Sequence, residues 1–129
     1  MRTATSRTGV GTYRQVVQVG PHSLLADEPA TAGGEDAGPE PHEFLLVALG
    51  TCTSMTVKMY ADRKGWPLDS VDVSVAGDHV DGVFVMTRTL KVAGTLTDEQ
   101  RARLLEVANK CPVHRTLTGT IRIQTDLVA

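Results

Sequence analysis

The 129-residue chain reads as an α+β domain, and three stretches carry that reading. Residues 42–64 contain no proline and only Gly50 as a weak helix former, and Gly65 follows as a stop, so a long helix is predicted there. Residues 68–77 alternate through VDVSVAG, placing Val71, Val73 and Val75 on one face of a half-buried strand. Thr97-Asp98-Glu99-Gln100 is a capping box, in which the threonine hydroxyl and the glutamine side chain satisfy free amides at a helix start.

The other elements fit around these three. Residues 3–8 and 12–19 are β-type segments around Gly9-Val10-Gly11, which predicts a hairpin, and residues 22–26 add a third strand. Residues 27–41, DEPATAGGEDAGPEP, mix acids, glycines and prolines and read as a loop leading into the long helix. That helix would measure about 33 Å. Its first half, FLLVAL, is apolar on every side, which predicts a helix running through the core. Residues 83–94 form a further alternating strand, and the capped helix covers residues 97–110 with Leu104, Leu105, Val107 and Ala108 as its buried stripe. Pro112 suits the first position of a short turn with Cys111 at its N-cap, and residues 120–128 alternate as a closing strand. The order is three strands, long helix, two strands, helix, strand, in a single domain over residues 1–129.

Composition excludes several classes. A net charge of −2 provides no basic field for nucleic acid or an anionic membrane, and 4% aromatic residues are too few for base stacking. MRTATSRTGVGTYR has no apolar leader, and the longest apolar stretch, residues 44–49, is too short to cross a bilayer. The expected location is cytoplasmic. A persistent disulfide is not favoured there, so two cysteines point to catalysis, sensing, metal binding or plain burial.

Cys52 lies in the apolar run PHEFLLVALGTCTSMTVKMY, on one helical stripe with Ala48, Met55 and Met59, and a small core hydrophobe is one reading of it. Cys111 precedes proline and a cationic cluster in KCPVHR. A thiol reacts as thiolate, and nearby positive charge or a helix N-terminus favours that form.

GPEPHEFLLVALGTCTSM followed downstream by a helix ending in CPVH resembles the OsmC/Ohr family of thiol peroxidases, and YRQVVQVGPHSLLADEP is similar to the N-terminal hairpin of its OsmC-like members. The resemblance implies an intertwined homodimer with buried central helices. It implies reduction of organic hydroperoxides, with Cys52 as the peroxidatic cysteine, Cys111 as the resolving one, an external thiol as reductant and no cofactor. It also implies an arginine that stabilises the thiolate, for which Arg14 is the first candidate and Arg7 the second, and a glutamate that holds the arginine. The family places that glutamate where this chain has His42; Glu43, nine residues before Cys52, is the candidate here, an offset shared by the OsmC-like branch. Phe44, Met55 and Met59 would line an apolar substrate pocket. A binding or redox-sensing protein with little turnover is the alternative.

Other groups have plainer readings. His22, His42, His79 and His114 lack the second close ligand pair that zinc signatures use, so no metal is expected, although Cys111 and His114 have suitable spacing. His114 and Arg115 are placed to stabilise anionic sulfur at Cys111 or to face water. Asp27 and Glu28 beside Pro29 suit a turn better than acid-base work, and Gly33-Gly34 has no closely following helix to make a phosphate cradle.

Overall fold

The long helix is α1, Pro41–Lys64, in the computed structural model, which describes residues 1–128. Its start is held by two glutamates: the Glu43 amide donates to the Glu40 carboxylate at 2.7 Å, and the Glu40 amide donates to that of Glu43 at 2.9 Å. Its end is a Schellman turn, with the Gly65 amide on Asp62 O, the Trp66 amide on Ala61 O, and Gly65 at φ +69°. The chain divides into two compact units, Met1–Leu46 and Val47 onward, and α1 begins in the first and continues through the second.

In the first unit, β1 (Ala4–Thr8), β2 (Gln15–Val19) and β3 (His22–Ala26) form an antiparallel sheet in that order. The first turn closes by the Gly9 amide on Arg14 O at 2.8 Å. The segment expected to be a loop contains one 3₁₀ turn, Ala30–Ala32, and is organised around the buried Asp27. The Asp27 carboxylate accepts the amides of Glu28, Glu35 and Ala37 at 2.8, 3.2 and 3.1 Å. Burial alone would raise its pKa, but the Ala37, Glu28 and Glu35 amides together with the Arg14 charge outweigh that and hold it below the ordinary value. Asp27 therefore folds the loop, as a turn-forming acid does.

In the second unit, β4 (Leu68–Val80) and β5 (Val83–Gly94) form one long hairpin, turned at Asp81-Gly82 with both φ angles positive. Thr97 caps α2 (Asp98–Ala108) through the capping box with Gln100, and Cys111 caps α3 (Pro112–Thr118), with Pro112 at its first turn. Val57 and Ala61 of α1, Leu68 of β4, and Leu104, Val107 and Ala108 of α2 form the buried core.

Three expectations are corrected. Helix α1 does not run through the core of this chain: it buries Leu49, Thr53, Val57 and Ala61, one stripe at four-residue spacing, while Val47, Met55 and Met59 are 50%, 59% and 59% exposed. The chain offers layers to cover one face of the helix, not all of them. Residues 120–128 form no strand, and Ile123 and Leu127 are 83% and 99% exposed. Alternation supplies strand propensity, but a strand needs a ladder partner. Finally, α1 is long and apolar enough to cross a bilayer by length and composition, because its threonines, serine and cysteine extend the short apolar run. Val57 and Ala61 of its buried stripe are nonetheless packed in one cluster with Leu68 of β4 and Leu104, Val107 and Ala108 of α2.

Candidate active site

The two cysteines, far apart in sequence, both lie in the second unit, where the Cys52 thiol is among the groups that act on Cys111. Cys111 is fully buried at the N-cap of α3, where the His114 amide donates to its sulfur at 3.4 Å. Thr53 of α1 places its hydroxyl 3.5 Å from the same sulfur. Arg88 of β5 reaches in with one guanidinium nitrogen, Nη1, 3.9 Å from Cys111 Sγ and 3.0 Å from Thr53 Oγ1. Its other terminal nitrogen, Nη2, donates to Asn109 Oδ1 at 2.9 Å and to His114 Nδ1 at 3.0 Å. Since an arginine only donates, Nδ1 of His114 is the unprotonated ring nitrogen.

Burial pushes the Cys111 thiol up, but the Thr53 hydroxyl, the His114 amide, the Cys52 thiol and the Arg88 charge together outweigh it and hold the thiol below its ordinary value. The Thr53 hydroxyl has one proton and two acceptors, Leu49 O at 2.7 Å and Cys111 Sγ. A charged sulfur is the stronger acceptor, so ionisation of Cys111 draws that proton toward it.

Cys52 is half-buried and its sulfur lies 3.9 Å from Thr56 Oγ1. It lines an open groove of about 450 Å³ with Ala48, Met55, Met59, Pro112 and Val113 among its walls. A second cavity, of about 210 Å³, has apolar walls from Leu49, Phe84, Met86 and Leu117, with Arg88 and His114 as polar groups. Both cysteines are free thiols. The arrangement can therefore present one sulfur to a groove while a second, buried in the same unit, is favoured as thiolate.

The remaining candidates divide between the two units. Met55 and Met59 share the Cys52 groove, whereas Phe44 is half-buried in the first unit. Glu43 is engaged in capping α1. Arg14, just before β2, is 3.9 Å from Glu35, and its Nε is buried with no hydrogen-bond partner among the described residues. Arg7 is exposed on β1. Arg115 is exposed and gives Cys111 only its backbone, an amide on the Cys111 carbonyl at 3.2 Å. Among the described residues, no group of three or more histidine, cysteine or acidic side chains could hold a metal.

Sequence reasoning missed Arg88, Thr53 and Asn109. A signal for Arg88 was present: it shares the inward face of β5 with Phe84, Met86, Leu90 and Val92, where an arginine needs a reason. Thr53 gave no such signal, since a threonine within a helix commonly satisfies its hydroxyl on its own backbone.

A family model described as OsmC-like protein matches residues 33–126. An OsmC-like protein from Mycoplasma pneumoniae superposes with a TM-score of 0.76 at 19% identity, over 92% of this chain and 88% of that one. An organic hydroperoxide resistance protein OsmC from Legionella pneumophila gives 0.68 at 18% identity, over 92% and 90%. An organic hydroperoxide resistance protein from Elizabethkingia anophelis, with crystallant-derived thiocyanate bound, gives 0.70 at 19% identity, over 92% and 89%. At these identities the likeness is one of fold. No curated protein matches the chain in sequence.

Proposed function

The chain belongs to the OsmC-like protein family, and from that premise we propose that it is a cysteine-based peroxidase that reduces organic hydroperoxides in stress defence. Access supports one division of roles. Cys52 lines an open groove with apolar methionines, so it is the sulfur that meets peroxide; Cys111 is fully buried, so it resolves. The Cys52 thiolate attacks the O–O bond, giving a sulfenic acid and, after protonation, an alcohol. Cys111 then condenses with the sulfenic acid to form a disulfide and water, and two equivalents of an external thiol restore both cysteines. Sulfur carries the electrons, so no cofactor enters the scheme.

The observation that carries this reading is a pair of free thiols in one unit, one lining an open groove and the other buried beside a guanidinium and below its ordinary pKa. Reduced protein mixed with cumene hydroperoxide in a stopped-flow instrument should oxidise rapidly, and Cys52→Ser should not. A Cys52→Ser protein reacting as fast as the parent would end the proposal.

The same reading includes a cytoplasmic homodimer, supported by the uncovered apolar stripe of α1 and the unpaired segment 120–128. A redox-sensing protein with little turnover is the second reading, favoured by Glu43 being committed to the helix cap. One oxidation event without catalytic consumption of hydroperoxide in excess thiol would select it.

A further inference from the structure

Among the described residues, no acidic group pairs with the charge of Arg88. Among the described residues the ion pairs are Arg14 with Glu35, Lys58 with Asp62, and Arg103 with Glu106, and Arg88 is in none of them. Every partner it has is neutral or a thiol: Thr53, Asn109, His114 through the unprotonated Nδ1, and Cys111. It is half-buried on the inward face of β5, where an uncompensated charge is costly. The titratable groups around the Cys111 sulfur are Cys52 from α1, Arg88 from β5 and His114 from α3. Of these, Arg88 is the only fixed cation, and Cys111 is the group touching it that can become an anion.

We propose that Arg88 is a positioning residue for the resolving step: its guanidinium, held in a fork by Asn109, His114 and Thr53, keeps Cys111 as a thiolate aimed at the oxidised Cys52. The proposal rests on the peroxidase reading and adds to it a role for a residue on β5. In the step it serves, Cys111 S⁻ attacks the sulfur of the Cys52 sulfenic acid. The S–S bond forms, the S–O bond breaks, and hydroxide leaves and takes up a proton to become water. The Cys111 sulfur is oxidised and the sulfenic sulfur is reduced. The fork matters because an ammonium at this position would be a point charge without the geometry to bind Thr53, Asn109 and His114 together. A thiolate ready before peroxide arrives shortens the life of the sulfenic acid and so guards Cys52 against irreversible oxidation.

The test reads the ionisation of Cys111 directly, from thiolate absorbance at about 240 nm against pH in a Cys52→Ser background that leaves one thiol. The midpoint should rise by about one pH unit in Arg88→Gln, and Arg88→Lys should recover part of the difference. In protein with both cysteines, disulfide formation after a hydroperoxide pulse at neutral pH should slow in Arg88→Gln in proportion to the thiolate fraction lost, by up to about tenfold. Asn109→Ala is an exposed change that loosens the same fork, and it should move the midpoint in the same direction even if Arg88→Gln does not fold. Midpoints equal to the parent's in the Arg88 and Asn109 variants would overturn the proposal. Sulfenic acid formation at Cys52 in a Cys111→Ser protein, trapped with dimedone, tests the peroxidase reading separately, so failure of that reaction and failure of the Arg88 role are distinguishable.

Discussion

At the scale of single residues, Cys111 links chemistry to stability. Its thiol is lowered in the folded protein, so between the folded and unfolded values the unfolded chain binds the extra proton, and stability rises with pH across that window. This contribution is complete above the unfolded thiol value, about 8.5, and is lost as pH falls through the folded one. Urea unfolding of the reduced protein should therefore show a gain from neutral to mildly alkaline pH that Cys111→Ser lacks. A parallel pH dependence in both proteins would contradict the assigned shift. The residues of this site were unequally legible in the sequence. Cys111 announced itself by the proline and cations after it, and its N-cap position follows from Pro112 alone. Arg88 gave a quieter signal, a lone cation on the strand face it shares with Phe84, Met86, Leu90 and Val92.

At the scale of elements, local chemistry was the reliable guide. The Thr97 capping box, the Gly65 stop and the alternation of β4 and β5 all depend on neighbours within a few residues, and all appear where the sequence puts them. Thr97→Ala should cost about 1 kcal/mol in urea unfolding, because the amide of Gln100 loses its acceptor. What the sequence hid were features that depend on distant partners. An apolar run says that α1 wants cover but not how many of its faces this chain can cover, and alternation in residues 120–128 does not supply a ladder. Glu43 illustrates the same limit from the other side. Its neighbour Glu40 offers a local use as a cap, and that local use is the one seen.

At the scale of the whole molecule, exposed apolar surface calls for a partner. Met55 and Met59 on α1, and Ile121, Ile123, Leu127 and Val128 along the final segment, are more than half exposed in a single chain. A second copy that covers these surfaces in part, and forms one wall of the Cys52 groove without filling it, accounts for them within the proposed homodimer. Light scattering coupled to size exclusion should give twice the chain mass for the parent, and Met59→Lys, which puts a charge on the stripe, should shift the equilibrium toward monomer. A parent protein that elutes as a monomer at micromolar concentration would remove the dimer from the proposal.

The sulfur that closes the start of α3 is also the sulfur proposed to be spent in each turnover. Once it is bonded to Cys52 it can no longer carry negative charge, and the His114 amide loses its charged acceptor. The seven residues of Pro112–Thr118 are too few to hold a helix by themselves, so their order is tied to the oxidation state. Hydrogen exchange at the His114 amide should be faster in the oxidised protein than in the reduced one, making a short piece of backbone a gauge of how far the cycle has run.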